Sequence, residues 1–224
     1  DELWTAQHPD VQIIGSKTNI PFMKEAVQAC GHPDVTYADE FLRGFPVIGV
    51  APKSNCWPAL PPDPGMLVGE DFEKTIIAAR KVNMATLKPS AHDDKILKAT
   101  EVDVKHNFAF EVTEQDLRDR FGENYAVNPR FPVTVPRPLV KDRVVTWEDK
   151  TRPADDYARS KVNPGCCISE KLILPSTDSL AASIRCYAEH FPDRQIIGIC
   201  ADQAKAYRQI PTLPAHFRYN VFCI

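Results

Sequence analysis

The stretch "IIGICADQAKAYRQIPT", Ile196 to Thr212, decides how the chain is read. Its first part is a continuous apolar run rich in isoleucine, the pattern of a strand buried on both faces. The run ends on Asp202. Tyr207 follows five places on, and Ile210-Pro211 marks the turn beyond. A carboxylate just past a buried strand is either a solvated turn residue or a ligand that projects into a cleft. Magnesium takes hard oxygen ligands from one or two carboxylates together with substrate phosphates. Two such ions about 3.5–4 Å apart can clamp the attacking and leaving oxygens of a displacement.

The flanks of this stretch predict an α+β arrangement. Upstream, "STDSLAASIRCYAEHFPD" predicts a helix with Leu180, Ile184, Tyr187 and Phe191 on one face and Pro192 past its end. Downstream, "RYNVFCI" predicts the next strand, with Pro211 and Pro214 in the connection. Before the helix, "RFPVTVP" and "RVVTW" predict short strands, "EDK" a turn, and "TRPADDY" a strand whose Pro153 places it at a sheet edge. "TEQDLRDRFG" predicts a short helix, with Thr113 and Asp116 in capping-box positions and Gly122 as the stop.

The first half reads differently. "NIPFMKEAVQACG" predicts a helix capped by Asn19, with Pro21 in its first turn and Gly31 at its end. "EDFEKTIIAARKVN" predicts a second, with Phe72, Ile76, Ala79 and Val82 on its apolar face. "DDKILKATEVDVKH" predicts a third. Between the first two lies "FLRGFPVIGVAPKSNCWPALPPDPG", a Pro-rich surface stretch with one strand around Val47 to Val50. The expected division is a mainly helical, Pro-rich region over 1–110 and an α+β region over 111–224.

Bulk properties set the limits. The 224 residues carry a net charge of −3, so no global field draws the chain to nucleic acid or anionic membrane, and any basic site must be local. No apolar run has membrane-spanning length and no signal peptide is present, which predicts an intracellular protein of cytoplasm or nucleus with no membrane partner. The seven cysteines are odd in number, lack zinc spacing and sit mostly in apolar runs, which predicts buried free thiols. Cys166-Cys167 lacks the flanking motif of a thiol nucleophile. His92, Asp93 and Asp94 read as a solvated helix start. The chain begins on Asp1 and ends in an apolar stretch, the expectation for a fragment.

Two motifs carry chemistry. "ADQAKAYRQIP" resembles the first catalytic motif of reverse transcriptases: Asp, a small or polar run, an aromatic, then Ile-Pro. "KTRPADDYARSKVN", Lys150 to Asn163, resembles the fingers motif of the same family, in which cations on a β-hairpin precede Arg-x-x-x-Asp-aromatic and a later Asn; the matching positions are Lys150, Arg152, Asp156, Tyr157 and Asn163. The spacing from Asp156 to Asn163 is two residues longer than the commonest pattern and looks like a retrotransposon lineage. The resemblance covers roughly residues 110–224. It implies the fingers and the first part of the palm of a right-hand RNA-directed DNA polymerase. Asp202 is then the catalytic acid and magnesium ligand. Lys150, Arg152, Gln203 and Tyr207 bind the nucleotide, the ring of Tyr207 lying under the sugar and excluding a 2′-hydroxyl. The implied partners are an RNA or DNA template with primer and a dNTP.

Two features qualify that expectation. Asp155 and Asp156 are adjacent on a strand and point to opposite faces, so they do not share one metal; one is expected to be structural and the other exposed. The family's second acidic motif, Tyr/Phe-x-Asp-Asp, does not occur between Asp202 and Ile224. These residues alone are therefore expected to be catalytically inactive. The alternative reading is a non-catalytic, nucleic-acid-binding or structural remnant of a retroelement.

Overall fold

The computed structural model describes residues 8–197 and 206–224, the side chains of Ala206 and Tyr207 excepted, and is a mixed α+β structure with small sheets. The helices are α1 (Pro9–Gly15), α2 (Ile20–Ala29), α3 (Tyr37–Arg43), α4 (Gly69–Thr86), α5 (Asp93–Lys105), α6 (Glu114–Phe121) and α7 (Thr177–His190). The strands are β1 (Gly49–Val50), β2 (Asn128–Lys141), β3 (Val144–Asp155), β4 (Cys166–Cys167) and β5 (Phe222–Cys223).

Local chemistry sets the helix ends where caps were expected. The Asn19 side chain accepts from Phe22 N at 3.1 Å, and α2 closes into Gly31 at φ +60°. Thr113 and Asp116 form a reciprocal capping box at the start of α6. The buried face of α4 differs from the expected one: it runs through Phe72, Ile76, Arg80 and Asn83, while Val82 is exposed. Arg80 is tolerated inside because both terminal guanidinium nitrogens find acceptors. It donates to the carbonyls of Glu123 and Tyr125, pairs with the Glu123 carboxylate and lies over the Tyr125 ring.

The largest departure from the sequence reading is the hairpin. "EDK" is not a turn. Strands β2 and β3 form one long antiparallel ladder from Arg130↔Asp155 to Lys141↔Val144, closed by Asp142 and Arg143, both at positive φ. Two positive-φ residues match a type I′ connection, whose twist suits paired strands. The prolines of β2 misled the reading by looking like breakers. Pro132 faces Pro153, and neither has an N–H, so this is a non-hydrogen-bonded pair. By alternation Pro136 and Pro138 also stand at non-bonded pairs, where the missing N–H would have pointed outward. Strand β3 is an edge of the order β3-β2-β5, as Pro153 predicts.

The core draws on both sides of residue 110. One cluster joins Phe72 and Ile76 of α4 to Ala126, Val162 and Tyr219. A second packs Ile20, Ala38, Phe41 and Leu42. Phe41 and Leu42 are thus core residues of α3, not part of a surface stretch. The same segment reaches the C-terminal region: Phe45 donates to the Pro211 carbonyl at 2.7 Å and bridges to Thr212. Farther on, the Pro-rich loop is held by Glu170, whose carboxylate accepts from Ser54 N, Ser54 Oγ and Asn55 N.

Two more expectations are corrected. Cys30, Cys56 and Cys186 are exposed rather than buried, although every described cysteine is a free thiol. Gln195 to Ile197 form no strand; the rest of the expected buried strand lies outside the described residues. Helix α7 forms as expected, but its face of Leu180, Ile184, Tyr187 and Phe191 is exposed. Among the described residues no helix is long and apolar enough to cross a membrane.

Candidate functional site

The hairpin ladder fixes which side chains share a face. Pairs Phe131↔Ala154, Val133↔Arg152, Val135↔Lys150 and Arg137↔Glu148 point to one side, because side chains alternate along each strand. Arg137 and Glu148 meet as an ion pair, as expected for directly opposed residues. Lys150 and Arg152 therefore stand two residues apart on one strand face, about 7 Å along it. Arg152 is exposed and Lys150 half-buried, and among the described residues neither has a carboxylate partner. They lie in mid-strand rather than at the tip, with Val133 and Val135 as flat aliphatic neighbours. Such a face offers cations to phosphate, Arg as a two-pronged donor and Lys as a point charge.

The other face is occupied at its base. Arg130, fully buried, donates from Nε and Nη2 to the two oxygens of Asp155 at 2.7 and 2.9 Å. Its Nη1 donates to Thr100 Oγ1 of α5 at 2.8 Å, and its guanidinium lies 3.4 Å over the Phe222 ring. Asp155 is thus the structural member of the acidic pair. Asp156 is partly covered rather than exposed; it accepts from Arg159 N at 2.8 Å and caps the turn that follows β3.

That turn organises the rest of the fingers-like motif. The Tyr157 carbonyl accepts from Val162 N and Asn163 N. Ser160 Oγ donates to Asn128 Oδ1, and Asn128 Nδ2 donates to the carbonyls of Tyr219 and Val221. The Tyr157 hydroxyl donates to Asn220 Oδ1, and burial, with Asp155 nearby, pushes its pKa up to about 12. Asn163 is exposed.

Asp202 and Gln203, the expected catalytic acid and one nucleotide-binding residue, lie outside the described residues. Tyr207 falls in a 3-10 turn, Ala206–Gln209, and its side chain is likewise outside them. The neighbouring Arg208 pairs with buried Asp103 of α5 at 3.1 Å. Thr100 and Asp103 are three residues apart, one helical turn, and lie on the same side of α5. One helix thereby holds the base of the basic hairpin and the downstream end of the aspartate motif. Sequence reading missed this role, because Thr100 and Asp103 are two of many polar residues on this helix and only their distant partners single them out.

Among the described residues no group of three or more His, Cys, Asp or Glu side chains comes together. Three acids at or near the two motifs are engaged: Asp155 by Arg130, Asp156 by the turn and Asp103 by Arg208. No protein-family model, curated protein or solved structure matches the chain.

Proposed function

We propose that residues 111–224 are the fingers and the first part of the palm of an RNA-directed DNA polymerase. In this reading they serve template-directed nucleotidyl transfer from dNTP, on an RNA or DNA template with primer, in cytoplasm or nucleus. Lys150 and Arg152 take the triphosphate. Gln203 and Tyr207 bound the nucleotide, and Asp202 is the magnesium ligand. The metal ions supply the charge stabilisation of transfer, and the cations of this chain orient the phosphates for it. The residues themselves lack the acidic turn that would complete a two-metal site, so they bind nucleotide without turning it over.

The observation that supports the reading is the tie made by α5. Thr100 holds Arg130 at the hairpin base, and Asp103 holds Arg208 beside Tyr207. Motifs more than forty residues apart, whose joint use the resemblance implies, are thereby anchored to one turn of helix.

The test is titration of the chain with magnesium-dATP and, separately, with a labelled primer–template. Lys150→Ala and Arg152→Ala should weaken nucleotide binding at least tenfold and leave primer–template affinity nearly unchanged. If both variants instead lose duplex binding with a flattened salt dependence, the hairpin contacts nucleic-acid backbone and the assignment fails.

A further inference from the structure

A second basic feature lies outside the hairpin. An open groove of about 620 Å³ runs along α4 and is bordered by Lys74, Arg159 and Lys161 over a floor of Ala78, Ala79 and Val82. The Arg159 guanidinium is fixed: Nε donates to Asn83 Oδ1 at 3.1 Å and Nη2 to Thr86 Oγ1 at 2.7 Å. Asn83 is itself buried and donates to the carbonyls of Val127 and Arg159. Both of these acceptors are neutral, so the position of Arg159 is set while no carboxylate pairs with it among the described residues. Lys161 is exposed at φ +62° and has no ion pair among the described residues; Lys74 carries an exposed pair with Glu70.

We propose that this groove binds the phosphodiester backbone of a nucleic-acid strand. A cation held in place by neutral hydrogen-bond partners loses little freedom on meeting a phosphate, and the exposed Lys161 and Lys74 add point charges beside it, Lys74 exchanging Glu70 for phosphate. The groove is shallow and open to solvent, which suits an extended chain lying across it rather than an enclosed small molecule. Its floor has alanine and valine but no aromatic ring, so it offers no stacking platform and reads no bases. Contact is therefore through phosphates, independent of sequence and dependent on salt. The overall charge of −3 gives no general affinity, so binding must come from this local cluster. The inference deepens the proposed function by giving its nucleic-acid partner a surface, but it rests on Lys74, Arg159 and Lys161 rather than on Lys150, Arg152 and Asp202, so either can fail without the other.

The experiment is fluorescence anisotropy of the chain with a labelled single-stranded oligonucleotide and with a labelled duplex, from 50 to 200 mM salt. Three phosphate contacts give a log–log slope of about −2.7 on duplex or about −2.1 on a single strand, so duplex affinity should fall about 40-fold over that range. The double variant Lys74→Ala/Lys161→Gly removes two of the contacts, and its affinity should fall only about 3-fold. Glycine suits the positive φ of residue 161, so this variant keeps the turn; circular dichroism checks its fold. A reduced slope on either probe supports the groove, and the probe with the larger change identifies the strand form it takes. Equal slopes for the folded variant and the unaltered chain on both probes, or no binding at all, would overturn the proposal.

Discussion

Arg130 and Asp155 oppose each other at the first pair of the hairpin ladder and meet through two parallel hydrogen bonds in a site from which the arginine is fully excluded from water. The pair is also roofed by Phe222 and tied to Thr100, so strand, helix and C-terminal strand converge on one guanidinium. Removing one partner leaves the other charge buried without compensation.

Asp155→Ala should therefore cost about 3–5 kcal/mol of stability, the range for breaking a buried ion pair from one side. Replacing both residues with apolar ones of similar volume should cost less. Urea denaturation of the single and double variants, compared at equal slope, measures the difference.

His216 gives the fold a pH dependence. Its Nδ1 accepts from Val47 N at 3.0 Å, and burial, reinforced by Arg218, holds its pKa below the ordinary histidine value. The neutral ring is the one that accepts, so its contribution is fully present above the unfolded pKa of about 6.5 and is lost as pH falls through the lowered folded value. Melting temperature should decline on acidification below pH 6.5 more steeply in the unaltered chain than in His216→Gln. Parallel curves would show that this contact does not couple to folding.

Gly44 sits at φ +88°, and an added Cβ would fall 2.5 Å from the backbone of Thr212 and Leu213. Both atoms and torsion oppose a side chain. Gly44→Ala should cost more than the roughly 1–3 kcal/mol of a torsion open essentially to glycine alone and should release the Phe45–Thr212 bridge. Hydrogen exchange at Phe45 and Leu213 amides reports this directly, and retained protection there would contradict the account.

The hairpin turn predicts the opposite sign. Arg143 holds φ +64° in a connection that favours glycine at that position. Arg143→Gly should stabilise the ladder by about 1 kcal/mol, seen as slower exchange of amides near the tip. Arg143→Val should speed that exchange.

Within a polymerase that carries the second acidic turn, the aspartate and the tyrosine should fail differently. On the proposed reading, Asp202→Asn should abolish extension with either sugar, because it would remove charge from the proposed metal site while keeping shape. Tyr207→Ala should retain some DNA synthesis and gain ribonucleotide incorporation, as a steric penalty of a few kcal/mol disappears. Single-nucleotide extension with matched deoxy- and ribonucleotides separates the outcomes. Unchanged sugar discrimination in a folded Tyr207→Ala enzyme would make that residue ordinary core.

What the sequence made legible was local. Asn19, Thr113 and Asp116 declare their helix ends because a cap involves neighbours three residues apart. The edge position of β3 was legible from Pro153 because a missing N–H has one consequence wherever it stands. The hairpin length was not legible, because its turn lacks glycine and asparagine and its prolines mimic breakers until the partner strand shows which way each nitrogen points. The buried face of α4 was misread because Arg80 and Asn83 are buried only by virtue of acceptors more than forty residues away. Of the candidate site, the local cluster of Lys150 and Arg152 was legible, but their shared strand face was not, because "EDK" reads as a turn that takes Lys150 out of the strand. Their link through α5 to Arg208 was not legible either, since nothing near Thr100 or Asp103 names a partner.

The outward-facing prolines of β2 also govern how copies of this chain meet. A two-stranded ribbon with bare edges invites a second ribbon to add alongside it. Pro132, Pro136 and Pro138 remove outward donors at three points along one edge, and Pro153 removes one on the other. An incoming strand therefore finds carbonyl acceptors but a row of N–H donors interrupted at these prolines, which opposes continuous register. The residues that hid the hairpin from view are the ones that let so long a ribbon stand in solvent without recruiting its own kind.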